Sequence, residues 1–334
     1  MSTMDTLELP ANKSRPIVTS HFANAICGEQ QGVASQSETS RKTASGTEKA
    51  HQGVTAKSAL SLKNSLKHGF LLVSGLMMVF PFIWMLSGSL KSNDEIFANP
   101  LMIIPSTFNW QSFVDAFQSA PFGLYIFNSF TVALCTTLFV ILNSAMFAYA
   151  ITQLKFKSKT VLYFVVMGCY MLPGAVTYIP SYITLARMGL LDSHAGLIVS
   201  NAASVFGVFY LRQVFLKIHP SLIEAARIDG AGELKILWAI VLPQCKAALA
   251  TLFLITFITN YNSYMWPSLV ITSQELNLIA TGIRQFFIAE GNYGLNWSQI
   301  MAASTIAVMP LLVLFVLCQK TILTGITNDS GVKE

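Results

Sequence analysis

Six apolar stretches dominate the chain, and each is long enough for a helix to cross the hydrocarbon core of a bilayer, which takes about 20 residues. They are, in order, Gly69–Leu90, Tyr125–Leu154, Thr160–Ala186, His194–Leu211, Ala247–Thr272 and Trp297–Cys318. Charged residues make up 11% of the 334 and hydrophobic residues 53%, whereas soluble domains carry about 25% charged residues. The sequence therefore predicts an all-α membrane protein with six transmembrane helices.

The basic residues between these stretches are unevenly distributed. Three lie in the second connection and five in the fourth. The other three connections carry one each, Lys91, Arg187 and Arg284. Because cytoplasmic loops carry the excess of Lys and Arg, the second and fourth connections and both termini are predicted to be cytoplasmic.

The fourth connection has the pattern of two short helices separated by a turn. Ser221, three residues before Glu224, predicts a capping box at the start of the first helix. Asp229-Gly230 predicts the turn that ends it. The second helix is predicted to have one apolar face, since four large apolar residues recur at helical spacing. These are Leu234, Leu237, Trp238 and Val241.

The same connection resembles the EAA signature of the membrane subunits of bacterial ABC importers. The matching pattern is Glu224-Ala225-Ala226, three residues, Gly230, nine residues, Ile240, one residue and Leu242-Pro243. This resemblance implies the type I importer permease fold, and a coupling helix around Glu224 that docks in a cleft of a separate ATP-hydrolysing subunit. Its implied ATPase-coupling residues are Glu224, Ala225, Ala226, Asp229 and Gly230. The alternative is that Glu224 only caps its helix and the alanines only fill it.

Four further motifs are similar to the oligosaccharide-importing branch of that family, and above all to the smaller membrane subunit of maltose-type transporters. They are Thr107-Phe108-Asn109-Trp110, Phe127-Asn128-Ser129, Phe147-Ala148-Tyr149-Ala150 and Gly189-Leu190-Leu191-Asp192. The resemblance implies a sugar importer of the bacterial inner membrane. It also implies a homologous second permease subunit, two ATP-binding subunits that hold ATP and Mg²⁺, and an extracytoplasmic solute-binding protein.

With this resemblance the chain divides into four segments. Residues 1–66, which show no apolar period and no secretory signal pattern, are predicted to be a disordered cytoplasmic tail; an over-extended start of the reading frame is the alternative. Residues 67–124 hold the first transmembrane helix and an external loop. Residues 125–320 form the transporter domain, with the coupling loop at 217–243, and residues 321–334 form a cytoplasmic tail.

The fifth stretch carries the candidate substrate path. Aromatic rings and amides suit the faces and hydroxyls of a sugar, so Tyr261, Asn262 and Tyr264 are the candidates; helix-packing and interfacial aromatics are the alternative. The six stretches contain no Lys or Arg, which favours a neutral saccharide because a desolvated anion needs a cationic partner. Importers of glycerol phosphates or acidic sugars remain the alternative.

Other classes of protein fit the sequence less well. Ion-coupled carriers place charged residues within their spans, and the six stretches have none. The chain shows no nucleophile with a base, no Cys or His spacing typical of a metal site, and no G-x-x-x-x-G-K-[ST] phosphate loop. We therefore expect no enzyme activity, no bound cofactor or metal and no nucleic-acid partner.

Overall fold

The computed structural model describes residues 67–100, 102–291 and 296–329, and these residues contain helices and connections but no strand. The predicted tail at 1–66 and the end of the chain from residue 330 lie outside the described residues. The chain divides into two units, Met1–Met78 and Val79–Glu334. All packing described below lies within the second unit.

We number the helices in chain order. They are α1 Lys67–Ser89, α2 Asn93–Ala98, α3 Gln111–Ser119, α4 Phe122–Gln153, α5 Lys159–Tyr170, α6 Gly174–Arg187, α7 His194–Ser200, α8 Val205–Phe215, α9 Pro220–Ile228, α10 Glu233–Gln244, α11 Lys246–Tyr261, α12 Met265–Val270, α13 Ile279–Gly291 and α14 Trp297–Asp329.

Three of these helices, α1, α4 and α14, are long and apolar enough to cross a membrane unbroken. Three further crossings are possible if each of three bent pairs forms one span: α5 with α6, α7 with α8, and α10 with α11, bent by 101°, 47° and 85°. The predicted fifth stretch is itself interrupted, since α11 ends at Tyr261 and α12 begins at Met265. Length and composition thus support three to six spans.

Proline sets the sharpest of these breaks. α5 ends at Tyr170, and α6 begins at Gly174 directly after Pro173. Proline has no backbone N–H and disfavours helical geometry in the residue before it. The helix therefore stops and restarts in a new direction. The predicted stretch Thr160–Ala186 contains both helices but is not straight.

The buried core consists of three clusters, and α4 contributes to each of them. The inner cluster includes Tyr149 and packs α4 against α8, α9, α10 and α11. A second includes Tyr125 and packs α4 against α3, α11, α13 and α14, and a third joins Val132 to α6, α7 and α12. Close packing depends on small residues, since a Cβ added at Gly207 of α8 would lie 2.5 Å from Ser144 Oγ of α4.

Candidate coupling site and substrate path

The first helix of the fourth connection, α9, begins at Pro220. His219 precedes it and makes no side-chain cap bond, while Ser221 Oγ lies 2.8 Å from His219 Nδ1. The predicted capping box between Ser221 and Glu224 is therefore wrong. Proline favours the first position of a helix, where a missing N–H is harmless, so the helix starts one residue before Ser221 and places that serine inside it.

The turn predicted at the end of α9 is confirmed. Gly230 has φ +78°, a conformation that L-residues other than glycine seldom adopt. Its N–H donates to Arg227 O at 3.0 Å, and Ala231 N–H donates to Ala226 O at 3.0 Å. These bonds close the helix and turn the chain sharply toward α10.

One face of α9 is packed and the other is free. Ile223 and Ala226 are buried against α4, α8 and α10, whereas Glu224 and Ala225 are exposed. Ile228 is 85% exposed, so an apolar side chain stands beside the Glu224 carboxylate on the open face. A short helix held on one face, with a mixed apolar and acidic surface on the other, is suited to docking in a partner's cleft.

A set of charged hydrogen bonds fixes α9 to its neighbours. Arg227 donates from Nε to Glu233 Oε1 at 2.9 Å, and from Nη2 both to Glu233 Oε2 at 3.2 Å and to the backbone oxygen of Gln153 at 3.1 Å. Tyr149 OH donates to Glu233 Oε2 at 2.5 Å. We call these four residues the inner clamp. The bonds from Arg227, and then from Tyr149, hold the pKa of the Glu233 carboxyl below its ordinary value.

The inner clamp is the part of this site that sequence reasoning missed. In the sequence, Arg227 is one of the five basic residues of the fourth connection, and Tyr149 is one member of a family-like motif. Residues 153 and 227 are 74 positions apart, so no local pattern links them. The one available signal was the opposite charge of Arg227 and Glu233 across the glycine turn.

The apolar face predicted for α10 is split in the structure. Leu237 and Val241 are buried, but Leu234 and Trp238 are 63% and 54% exposed. The stretch Leu237–Val241 is a π-helical turn, and its N–H to O=C bonds span five residues instead of four. Four residues chosen at α-helical spacing therefore do not share one face.

Tyr261 lies in the core and does not line a path. Its ring is 1% exposed, its hydroxyl donates to Ala307 O at 3.1 Å, and it stacks on Phe257 at 5.9 Å between centroids. The structure thus corrects the sequence-based assignment of Tyr261 in favour of the packing alternative. Asn262 is exposed and Tyr264 is half-buried, at the break between α11 and α12.

A cation stands at this break. The guanidinium carbon of Arg284, on α13, lies 4.9 Å from the centroid of the Tyr264 ring, which is a cation–π distance. The absence of Lys and Arg from the six stretches therefore does not keep cations away from the candidate path. Sequence reasoning missed the contact because Arg284 belongs to a separate connection, residues 273–296. We call it the third external connection, after the side on which the sequence predicts it to lie. Its helix α13 brings Arg284 to Tyr264.

Several side-chain amides of the apolar stretches, a type of group that suits a neutral sugar, are already bonded within the chain. The side chain of Asn143 donates to Ala202 O at 3.0 Å, and that of Asn260 donates to Thr256 O at 2.8 Å. Asn128 donates to two backbone oxygens of the third external connection. These three amides are therefore not free to bond to a neutral sugar.

The start of the third external connection, residues 272–279, is held by side chains from two other elements. Asp192, in the turn before α7, accepts from Thr272 N and Ser273 N at 2.9 Å each and from Ser273 Oγ. These bonds, led by the Ser273 hydroxyl, lower the pKa of Asp192 from 3.8 to about 2. Asp192 itself has φ 52°.

On α4, Asn128 Nδ2 donates to Glu275 O at 2.8 Å and to Asn277 O at 3.1 Å, and Ser129 Oγ accepts from Ile279 N at 2.7 Å. We call Asn128, Ser129 and Asp192, with the segment 272–279 that they hold, the outer lock. It brings together two of the family-like motifs, which the sequence left far apart. Among the described residues, no group of His, Cys, Asp and Glu is placed to hold a metal ion.

Long apolar helices, with a short helix between the later ones that is packed on one face and exposed on the other, are features of the class of transporter permeases. The family profile described as binding-protein-dependent transport system inner membrane component matches residues 144–327. The chain belongs to this family, and is thus an inner membrane component of such a transport system. The resemblance stated from the EAA spacing is confirmed.

Relatives and solved structures agree with this assignment. The sn-glycerol-3-phosphate transport system permease proteins UgpE of Yersinia enterocolitica and Pectobacterium atrosepticum are 33% and 34% identical over 268 residues, covering 78% of this chain and 95% of each relative. A bacterial ABC transporter that imports the acidic polysaccharide alginate has a chain of the same fold, with a TM-score of 0.66 at 22% identity, covering 78% of this chain and 96% of that chain.

Proposed function

We propose that this chain forms half of the translocation path of an ATP-driven importer of saccharides or saccharide-like solutes. It crosses the membrane six times, with both termini in the cytoplasm, and α9 docks on a separate ATPase. The observation that carries the proposal is the open face of α9. Glu224, Ala225 and Ile228 are exposed on a helix that is otherwise fixed to the chain by burial and by the inner clamp.

The proposed assembly has four kinds of subunit. A homologous permease completes the path, two ATP-binding subunits hold ATP and Mg²⁺, and a solute-binding protein delivers the substrate, so this chain itself has no catalytic role. The family description names binding-protein-dependent transport. A second solved structure similar to this chain is a bacterial alginate ABC transporter in complex with an alginate pentasaccharide-bound periplasmic protein. It supports the same arrangement of subunits.

The mechanism that follows is alternating access. Closure of the ATPase subunits moves the docked α9, and the spans packed against it move with it. Coupling requires that α9 remain docked while the ATPase subunits move, since an undocked helix transmits no movement. The ATPase must also interact differently with the two states of the spans, because a partner shifts a conformational equilibrium only by that difference. Rigid attachment of α9 to the spans is therefore as important as its docking surface.

The direct test uses the transporter reconstituted with its ATPase, its partner permease and its binding protein. Glu224→Lys reverses the charge on the docking face, and we expect loss of uptake with the membrane subunits still assembled. Asp94→Lys is the matched control, because Asp94 is also an exposed acid but lies on the external helix α2. Normal uptake with Glu224→Lys, or equal loss with both variants, would refute the docking role.

A second candidate substrate class is favoured by a specific observation. Arg284 lies over the Tyr264 ring, and no carboxylate among the described residues pairs with it. Stacking uses the face of the guanidinium and leaves its in-plane N–H groups free for a phosphate or carboxylate. We therefore propose an anionic solute in place of the neutral saccharide that the sequence favoured. The names of the relatives, glycerol-3-phosphate permease and alginate importer, point the same way.

The substrate class can be decided by stimulation of ATPase activity. Neutral oligosaccharides, uronic-acid oligosaccharides and glycerol phosphates are offered with the binding protein. Arg284→Gln should raise the half-stimulating concentration of the anionic ligand by about tenfold, as expected for loss of a charged hydrogen-bond partner. Arg187→Gln, an exposed arginine of another connection, should leave it unchanged. If only neutral sugars stimulated ATP hydrolysis, and Arg284→Gln had no effect, the proposed anionic solute would be wrong and a neutral saccharide would be the substrate class.

A further inference from the structure

We propose that α4 is a mechanical strut that joins the ATPase-docking helix at one end to the third external connection at the other. In this proposal Arg227 and Glu233 are positioning residues at the inner end, and Asn128 is a positioning residue at the outer end. The proposal rests on the proposed function of α9. It adds a defined route by which movement of α9 reaches the outer surface.

The inner end of the strut is the inner clamp. Tyr149 and the backbone oxygen of Gln153 belong to the last turns of α4, and both bond to the Arg227–Glu233 pair. Arginine makes two nearly parallel bonds to the carboxylate, at 2.9 and 3.2 Å, which fixes direction as well as distance. Burial of Ile223 against the same end of α4 prevents α9 from pivoting away.

The outer end of the strut is the part of the outer lock that belongs to α4. Asn128 is 5% exposed and bonds to Glu275 O and Asn277 O, and Ser129 is 1% exposed and bonds to Ile279 N. These bonds reach the backbone of the connection, so they follow its position whatever its side chains do. A buried amide without its partners would be costly, so α4 and this segment are expected to move together.

The helix between these ends has no built-in hinge. α4 runs without a break for 32 residues, about 48 Å at about 1.5 Å per residue, and Asn128 and Tyr149 are about 32 Å apart along it. It contains no proline, and it contributes to all three buried clusters. The bent pairs α5 with α6, α7 with α8, and α10 with α11 are the places where deformation is absorbed.

The consequence is reciprocal coupling between the two membrane surfaces. A shift of α9 is transmitted through the inner clamp to α4 as a rigid body, and then to residues 275–279. In the opposite direction, a binding protein that displaces this external segment changes the position of the docking helix. The coupling free energy between two binding sites is the same in both directions. Both ends of α4 lie on the same route, so loosening either end should impair stimulation of the ATPase by the binding protein.

A double-mutant cycle tests the strut in the complete reconstituted transporter. The measured quantity is the factor by which the ligand-loaded binding protein stimulates ATP hydrolysis. Arg227→Gln loosens the inner end, Asn128→Ala loosens the outer end, and Lys157→Gln, an exposed charge on the connection after α4 and outside both the clamp and the coupling loop, is the control. Each end variant should lower stimulation about 5-fold or more, and the double variant should be no worse than the poorer single one.

The cycle also separates failure of the strut from failure of the docking role. Multiplicative effects in the double variant would show that the two ends act independently, and the strut would be rejected even if Glu224→Lys abolished uptake. The charge exchange Arg227→Glu with Glu233→Arg should restore part of the stimulation, and no recovery would count against the clamp. If Arg227→Gln does not assemble, Tyr149→Phe carries the same test, because it removes one hydroxyl and keeps the buried ring.

Discussion

Replacing Gly230 by alanine should weaken docking of the ATPase through backbone strain alone. Gly230 has φ +78°, and a Cβ added there would meet no atom within 4 Å. A clash of the new Cβ with other parts of the chain therefore contributes nothing to the expected effect. A non-glycine residue in this left-handed region costs about 1–2 kcal/mol, so the observed turn loses about 5- to 30-fold in population relative to its alternatives.

The neighbouring Gly232 provides a matched control. It also has nothing within 4 Å of an added Cβ, but its φ is −69° and its ψ is 156°, which any residue adopts. Gly232→Ala should therefore behave as the unaltered protein. Gly230→Asn should fall between the two, because asparagine tolerates the left-handed region better than alanine does.

The assay is a titration of the purified membrane subunits with the ATPase subunit, followed by uptake into proteoliposomes. With Gly230→Ala the apparent affinity should fall by up to the same factor of about 5 to 30, since only the observed turn presents α9 for docking. Uptake should fall with it when the ATPase is limiting. Equal affinities for Gly230→Ala and Gly232→Ala would refute the role of the turn.

Three other changes have defined outcomes. Gly282→Ala would put a Cβ 2.3 Å from the buried Tyr125 ring, and this overpacking should lower the free energy of unfolding by about 1–3 kcal/mol. Phe257→Ala would leave a cavity in the core and should lower the free energy of unfolding by about 3–5 kcal/mol. Thermal unfolding of the solubilised protein measures both changes. Asp192→Asn should speed proteolysis within 272–279 at neutral pH. Because Asp192 has a pKa of about 2 against an ordinary 3.8, the stabilisation by its carboxylate is complete above about pH 4 and is lost as the pH falls through about 2; wild-type proteolysis that accelerates between pH 7 and 5 would contradict this.

Apolar length predicted where the apolar helices lie along the chain but not their shape. A window of about 20 residues averages over a break, so Pro173 inside one stretch and the interruption at Asn262 inside another did not alter the count. The start of α9 is a second case in which a sequence pattern did not give the local structure. Ser221 and Glu224 have the spacing of a capping box, but the helix begins at Pro220, so Ser221 lies inside the helix and does not cap it.

In the candidate site, too, features set by adjacent residues could be predicted from the sequence, and contacts between distant residues could not. Gly230 was predictable because a left-handed turn is a property of a few adjacent residues. The bonds of Arg227 to Gln153, and the contact of Arg284 with Tyr264, depend on how separate helices pack. Tyr261 is a residue that the sequence assigned to the substrate path and the structure places in the core. An aromatic residue in an apolar helix has the same sequence pattern in either position.

The family-like motifs acquire a physical reason from these contacts. Asn128, Tyr149 and Asp192 are polar members of three mainly apolar motifs, and each bonds to a connection distant in sequence. A polar group near the end of a membrane helix needs a partner, since burying it unpaired is costly. Asn128 and Tyr149 lie near opposite ends of one uninterrupted helix, so their partners tie that helix to Glu275 and Asn277 at one end and to Glu233 of α10 at the other. In this chain, polar residues near the two ends of one unbroken apolar stretch are therefore the sequence feature that marks the proposed strut.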